Sequence, residues 1–460
     1  MSVPRITLED LFNLTDSVIY SPDGYKPATH VVIDSRELKN NSVFVAVKGE
    51  NHDGHAFVKE VIKQGANAVI IDENRLQEFD FVNNTIVTVK DTIKAYGELA
   101  NTWRNKLGAK VISLTGSNGK TSTKDILHVL LSEKYKVCST YKNNNNHIGV
   151  PLTILSARNC DVLVLEHGTN HFGEIEYTAN IATPDYAMIT NIGNSHLEFL
   201  ETKQGVYKEK KALFDSALKN KGLVVVNTDD PIIKRHAKDI NNRITYGFRD
   251  NVDVKGELLG YTKGAMPIVS IRYRNKQIEV KLPLYGAANA RNFLAACAIA
   301  LKLGLTKKAL LTGIEKLKPV KGRLEVTEYN GCTVIDDTYN ANPESMKNAF
   351  DVLSKYKKYD RKVVVLGDMF ELGDDAVAMH EELAKPLMKA KPERVLLIGK
   401  NTKHLSKTIA GVETKHFTSR EKLYDTLRDI DKTSTVFLFK GSRGMRMEQF
   451  IEAVTEGNGV

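Results

Sequence analysis

The sequence predicts an α/β protein built in three parts, and three observations predict it. At 460 residues the chain is too long for one ordinary hydrophobic core. Short β-branched runs ending in glycine or polar residues alternate with helical stretches, the rhythm of largely parallel sheets covered by helices. One such run leads through a glycine turn straight into a helix, a central unit of P-loop type.

The first part spans residues 1–83. VVIDSR and SVFVAVKG read as strands, and HAFVKEVIKQGA reads as a helix because Phe57, Val58, Val61, Ile62 and Ala66 share one stripe. NAVIIDE returns to strand. The second part, 84–315, opens with a helix from Thr92 to Leu107. A strand from Val111 to Leu114 then enters the glycine turn, and a helix begins near Lys120. DVLVLEHG, YAMITNIG and GLVVVNTDD continue the sheet. Residues 251–284 alternate and carry turn signals, so they read as hairpins, followed by the helix RNFLAACAIALKLG. The third part, 316–460, has four strand-to-turn units: GCTVIDDTYN, KVVVLGDM, RVLLIGK and STVFLFKGSRG. Helical stretches such as ESMKNAFDVLSKY separate them. This is a second doubly wound, Rossmann-like pattern, with ligands expected at the carboxyl ends of the strands.

Composition narrows the classes. A 42% hydrophobic fraction supports packed domains rather than a disordered chain. The formal charge of +9 is mild at this length and suits anionic small molecules or a solvated surface equally. No mixed basic and aromatic segment suggests a nucleic-acid groove. No apolar stretch reaches the roughly 18 residues of a spanning helix, and the start lacks a signal core, so a soluble, cytoplasmic protein without membrane insertion is the expectation; a monomer is expected separately. Cys138, Cys160, Cys297 and Cys332 lack zinc-site spacing and read as reduced thiols.

Gly116-Ser117-Asn118-Gly119-Lys120-Thr121 is the sharpest local signal. Glycines let the backbone approach a phosphate, and a helix N-terminus favours the anion. Lys120 can neutralise β- and γ-phosphate charge, and the Thr121 hydroxyl can reach Mg²⁺. The strict pattern wants a further glycine where Leu114 stands; an ordinary glycine turn with a solvated lysine is the alternative. Glu166 ends an apolar strand and can hold Mg²⁺, although a helix cap or surface charge fits as well. His196 follows a strand in the same manner, with His167 and His171 as alternatives. Lys210 lies on a charged helix, and composition does not select it over Lys208 or Lys211.

A longer series of motifs then becomes visible: DSR from Asp34, KGENHDGH from Lys48, TGSNGKT from Thr115, NNNNHIGVPLT from Asn143, and GEIEY from Gly173. TNIGNSHLE from Thr190, DDTYNANPESM from Asp336, GDMFELG from Gly367 and KGSRGMRME from Lys440 complete it. In order and spacing the chain resembles the Mur ligases of bacterial cell-wall synthesis over nearly its whole length. YNANPES, GDMFELG and KGSRGMRME point to the dipeptide-adding branch. The Asn-Pro-Arg motif of the branches that add diaminopimelate or lysine is missing.

The resemblance implies an N-terminal domain for the UDP part of the substrate, a central ATP domain and a C-terminal domain that closes over ATP. The implied reaction joins D-alanyl-D-alanine to UDP-N-acetylmuramoyl-tripeptide through an acyl phosphate. It implies that Gly116 to Thr121 hold ATP, with Lys120 on the terminal phosphates. Thr121 and Glu166 would bind one Mg²⁺, and His196 a second. Lys210 would be carbamylated, which turns a cation into an anionic oxygen ligand. Asn292 would meet adenine, while Arg323 and Asp337 would reach ATP on closure. Asp34, Ser35, Arg36, Lys48, Asp53, Gly54 and His55 would bind the uridine nucleotide. Tyr339, Asn340, Asn342 and Pro343 would lie near the acceptor.

Three positions depart from the family pattern. Lys210-Lys211-Ala212 replaces Lys-Gly-Glu, Ala288-Asn289 replaces His-Asn, and His147 replaces a glutamate. They bear on the electrostatics of Lys210, on adenine recognition and on the tripeptide-side wall. Rival readings are a ligase adding a single amino acid and a nucleotide-binding regulator without chemistry.

Overall fold

The computed structural model describes residues 4–49, 52–249, 251–329 and 331–455. Glu50 and Asn51 of the KGENHDGH motif lie outside the described residues.

The first sheet contains β1 (Val18–Tyr20), β2 (His30–Val32), β3 (Ser42–Val45), β4 (Ala68–Asp72) and β5 (Ile86–Val89), in the order β1-β5-β4-β3-β2. Only the β1–β5 pair is antiparallel. The sheet runs past residue 83. All four residues of β5 are buried, so this apolar run takes neighbours on both sides.

The second sheet comprises β6 (Lys110–Thr115), β7 (Val137–Ser139), β8 (Val162–Glu166), β9 (Tyr186–Ile189), β10 (Leu223–Asn227), β11 (Arg243–Gly247), β12 (Val254–Tyr261), β13 (Pro267–Tyr273) and β14 (Lys276–Lys281). The order is β14-β13-β12-β11-β10-β9-β6-β8-β7. The expected hairpins are the antiparallel meander β12–β14 at one end. β6 sits between β8 and β9, so the chain moves outward on opposite sides of it. That is a topological switch point, where a crevice opens beyond the strand ends. The glycine turn follows β6 at this place.

The third sheet holds β15 (Glu325–Tyr329), β16 (Cys332–Asp337), β17 (Arg361–Gly367), β18 (Arg394–Ile398), β19 (Glu413–Phe417) and β20 (Thr435–Lys440), in the order β15-β16-β20-β17-β18-β19. The four expected units are β16, β17, β18 and β20. The two edge strands escape sequence reading because EVTEY and ETKHF are largely solvated and carry no apolar run.

The expected helix Thr92–Leu107 seats the first sheet on the second. Asp91 caps it by accepting from the backbone N–H groups of Ile93 and Lys94, and Gly108 ends it at φ +67°. Its Tyr96, Leu99 and Trp103 share one core with Val43 and Val45 of β3 and with Val111 and Leu163 of the second sheet. The Arg158 guanidinium stacks 4.1 Å from the Trp103 ring centroid and donates to Thr29 O at 2.9 Å, which ties the two parts together. On the other face, the helices Lys120–Leu131 and Gly286–Lys302 cover β6, β8 and β10 to β14. The helix Pro343–Lys355 buries its apolar stripe on the third sheet and packs beside Gly286–Lys302. Among the described residues no helix is long and apolar enough to cross a membrane. The four cysteines are free thiols, three of them buried.

Candidate active site

After Thr115 the chain turns through two glycines that no other residue can replace without movement. Gly116 has φ +148°, and a Cβ there would lie 1.9 Å from Thr190 Oγ1. Gly119 has φ +80°, and a Cβ there would lie 2.2 Å from Asn292 Oδ1. The backbone between them is tied to the end of β9. Ser117 N donates to Asn191 O and Asn118 N to Asn191 Oδ1, both at 3.0 Å. Thr190 Oγ1 and Asn191 Nδ2 donate to Asn118 O at 2.6 and 2.9 Å. The loop is thereby held open toward the first turn of Lys120–Leu131, whose backbone N–H groups have no partner within the helix. Such an end suits a polyphosphate.

Lys120 folds back, its Nζ donating to Gly116 O at 2.7 Å. Desolvation pushes the ammonium below its ordinary pKa; Glu166 opposes this and Arg323 adds to it. Glu166, at the end of β8, is 2% exposed. Its Oε1 accepts from Asn145 Nδ2 at 2.9 Å and from Thr121 Oγ1 at 3.2 Å. Its Oε2 is buried and has no hydrogen-bond partner. A buried carboxylate oxygen left unpaired is costly, so a cation is its natural partner. Oxygen donors from Thr121 and Glu166 fit a hard ion such as Mg²⁺. No three His, Cys, Asp or Glu side chains gather as a cage among the described residues. The other ligands of such an ion would come from water or from phosphate, as Mg²⁺ favours.

The three histidines separate clearly. His167 is fully buried, with Nδ1 2.9 Å from Thr178 Oγ1 and Nε2 2.9 Å from Ser113 Oγ. Burial lowers its pKa to about 3, so it is a neutral core residue with both nitrogens occupied. His171 is exposed, beside Glu174 and against the Phe199 ring. His196 sits at φ +53° ahead of the short helix Leu197–Leu200. Its Nδ1 lies 2.8 Å from Glu371 Oε2 of the third part, without hydrogen-bond alignment.

The three lysines separate as well. Lys208 lies over the Phe172 ring at 5.6 Å, and Lys211 turns outward to pair with Asp215. Lys210 alone is buried, at 1% exposure, on the helix Lys203–Lys219. Burial lowers its pKa well below the ordinary value; Lys120 adds to that and Glu209 opposes it. The departure at Lys211 therefore points away from this site. Glu209, which sequence reasoning missed, fixes the helix. Its carboxylate accepts from Gly173 N and Ile175 N at 2.7 Å each and from Thr169 Oγ1 at 3.1 Å.

Asn292 Nδ2 donates to Asn289 Oδ1 at 3.3 Å, and Asn289 Nδ2 donates to Tyr285 O at 3.0 Å. The second residue of the Ala288-Asn289 pair thus orients Asn292 against the glycine loop. A cleft beside it is lined by Gly119, Asn191, Tyr246, Phe248, Arg291 and Asn348. Another is lined by Asp125, Val129, Asn289, Pro319 and Arg323. Arg323 stacks 4.0 Å from the Tyr339 ring centroid, and its Nε is buried without a partner. Asp337 is engaged by Lys440 at 2.6 Å and accepts from Leu324 N at 3.1 Å. Burial raises its pKa against the pull of Lys440. Asn340 O accepts from Lys440 Nζ at 2.9 Å, and Asn342 Nδ2 donates to Asn118 Oδ1 at 2.8 Å. His147 is exposed; Asn145, two residues earlier, is the side chain that meets Glu166.

The N-terminal candidates form a separate group. Asp34 binds the Arg36 guanidinium through both oxygens, which lowers its pKa to about 2, and Ser35 opens the adjoining turn. Lys48 and Asp53 pair as an isolated antiparallel bridge. Asp53 Oδ1 accepts from His55 N at 3.0 Å and lies 2.7 Å from His55 Nδ1, while Asp72 N donates to His55 Nε2 at 3.0 Å. His55 Nε2 is thus the acceptor and Nδ1 the donor. A Cβ at Gly54 would lie 2.9 Å from the backbone of Val47. Arg75, missed in the sequence, donates to Asp53 Oδ2 at 3.1 Å.

Comparison with known proteins covers nearly the whole chain. Family models match in three places: "Mur ligase family, catalytic domain" over 27–104, "Mur ligase middle domain" over 114–300 and "Mur ligase, glutamate ligase domain" over 322–443. The UDP-N-acetylmuramoyl-tripeptide–D-alanyl-D-alanine ligase of Bacillus subtilis (strain 168) is 32% identical over 463 residues, covering 98% of each chain. A crystal structure of MurF from Acinetobacter baumannii superposes with a TM-score of 0.86 at 30% identity, over 99% of this chain and 100% of that one. MurF from Thermotoga maritima in complex with ADP gives 0.82 at 30% identity, over 93% and 97% of the two chains.

Proposed function

The chain belongs to the Mur ligase family, and from that premise we propose that it joins D-alanyl-D-alanine to UDP-N-acetylmuramoyl-tripeptide at the expense of ATP. The observation that carries the reading is the pairing of Thr121 with Glu166, whose second oxygen is buried and unpaired beside the glycine loop. The three parts take three tasks. The first, with Asp34, Ser35, Arg36, Lys48, Asp53, Gly54 and His55, binds the uridine nucleotide. The second binds ATP on a P-loop-type strand–loop–helix unit. The third, Rossmann-like, brings Arg323, Asp337 and the acceptor loop.

The terminal carboxylate of the tripeptide attacks the γ-phosphorus of ATP, the bond to the β–γ bridging oxygen breaks, and ADP leaves as the acyl phosphate forms. Oxide is a poor leaving group, and the acyl phosphate removes that obstacle. Lys120 and the first-turn amides of its helix stabilise charge that develops on the transferring phosphoryl group. Thr121 and Glu166 would hold one Mg²⁺ and His196 a second, and the ions would supply neutralisation of phosphate charge. Lys210, buried beside Lys120, would add CO₂ at its neutral amine with loss of a proton, and the resulting carbamate would offer an anionic oxygen toward that second ion. The neutral amine of D-alanyl-D-alanine then attacks the acyl carbon, and phosphate leaves. Contacts from the third part exclude water that would hydrolyse the acyl phosphate.

The test is ADP release by the full chain with ATP, Mg²⁺, purified UDP-muramoyl tripeptides and D-alanyl-D-alanine, followed by product mass. A product heavier by one dipeptide residue pair supports the reading. A product carrying one amino acid, or no ADP release with any UDP-muramoyl peptide, overturns it.

A further inference from the structure

Asn118, between the two glycines of the loop, is held from two directions. Its backbone is fixed by Thr190 and Asn191 of the central part. Its side-chain amide is held by the first turn of Pro343–Lys355 in the third part. Asn118 Nδ2 donates to Glu344 Oε2 at 3.0 Å, and Asn118 Oδ1 accepts from Asn342 Nδ2 at 2.8 Å. Asn342 is fixed in turn, because its Oδ1 accepts from Ser345 N at 2.9 Å and closes a capping box. The pairing is specific in its chemistry: a side chain at 118 must donate to a carboxylate and accept from an amide at once. Gly193 provides the space, since a Cβ there would lie 2.1 Å from Glu344 Oε2.

Resting on the ligase reading above, we propose that Glu344 is a positioning residue: with Asn342 it grips the amide of Asn118 and so sets the acceptor loop, residues 339–342, in register with the phosphate loop. The loop that meets the phosphates and the loop that meets the acceptor are otherwise carried by different sheets. A bond to a charged acceptor at their junction links the two halves of the reaction.

Hydrogen–deuterium exchange of the full chain with Mg²⁺ and ADP, the nucleotide over which the third part closes, reads the docking. Glu344→Ala removes the acceptor, and exchange at residues 116–119 and 344–347 rises about tenfold or more. Glu344→Gln keeps an acceptor oxygen and stays within about twofold of wild type. In the ligation assay Glu344→Ala raises KM for the dipeptide by a similar factor and changes KM for ATP less. Asn118→Asp sets two carboxylates face to face and loosens the same segments. Adding Glu344→Gln to it restores protection, because the new amide donates to the new carboxylate. Wild-type exchange in Glu344→Ala overturns the proposal, as does failure of the double variant to regain protection while melting like wild type. The exchange readout needs no turnover, so it decides the docking contact even where a chain without ligase activity would overturn the proposed reaction.

Discussion

Thr121 Oγ1 lies 3.2 Å from Glu166 Oε1, although 45 residues separate them in sequence. The contact exists because β6 and β8 are neighbours, with Leu114 opposite Glu166. It puts a hydroxyl from the helix after the glycine loop against a carboxylate from the next strand. One oxygen of that carboxylate is left without a partner.

Glu166→Gln keeps the contacts of Oε1 and removes the charge that a divalent ion needs. The Mg²⁺ concentration giving half-maximal ADP release rises at least about tenfold, as loss of an ionised oxygen ligand implies. An unchanged Mg²⁺ dependence would remove Glu166 from the metal site.

Lys120→Ala deletes the cation proposed to face the terminal phosphates. Turnover falls by a factor corresponding to about 3–4 kcal/mol of lost transition-state stabilisation. The protein stays folded, because the lysine caps only a loop carbonyl. Near-normal kcat would contradict the assigned role.

Gly119→Ala and Gly173→Ala distinguish crowding from backbone strain. Both glycines have positive φ, +80° and +91°. At Gly119 the new methyl meets Asn292, while at Gly173 nothing lies within 4 Å. Gly173→Ala costs about 1–2 kcal/mol of stability from conformation alone. Gly119→Ala adds a collision and abolishes ADP binding measured by calorimetry. Equal behaviour of the two variants would count against the close approach.

Lys210 reports its chemical state by mass and by bicarbonate dependence. The carbamate predicts that turnover falls in CO₂-free buffer and recovers when bicarbonate is added. Lys210→Ala is inactive, and short carboxylic acids restore part of its activity. Full activity of an unmodified lysine would exclude the carbamate.

His380 governs a part of the acid stability. It is fully buried, accepts from Met369 N at 2.9 Å and faces Ala376 O, Asp368 and His404. Burial lowers its pKa below the ordinary histidine value. The unfolded chain therefore binds the proton first as pH falls. The contribution is complete above about pH 6.5 and is lost below it, at no more than about 1.4 kcal/mol per pH unit. Urea melts between pH 7 and 5 show this slope, and it is smaller in His380→Gln. A slope of the opposite sign would refute the buried neutral form.

Local chemistry made the glycine loop legible, since strand, glycine turn, lysine and helix are contiguous. The histidines and lysines were not legible in the same way. His167, His171 and His196 all follow strands, and only packing shows that Ser113 and Thr178 occupy both nitrogens of His167. Lys208, Lys210 and Lys211 share one charged run, and the rotation of their helix alone buries Lys210. Asn145 was hidden in a run of four asparagines, and Glu344 in a helix start where an exposed charge would be unremarkable.

By itself the sequence determined the α/β class, the three-part order and the glycine turn that joins a strand to a helix. Those depend on apolar periodicity and on backbone freedom at glycine, which act over a few residues. Tertiary structure alone decided which distant side chains meet: Thr121 with Glu166, Asn118 with Asn342 and Glu344, and Lys210 with the interior beside Lys120. Those meetings depend on strand order and helix rotation, which no short stretch of chain encodes.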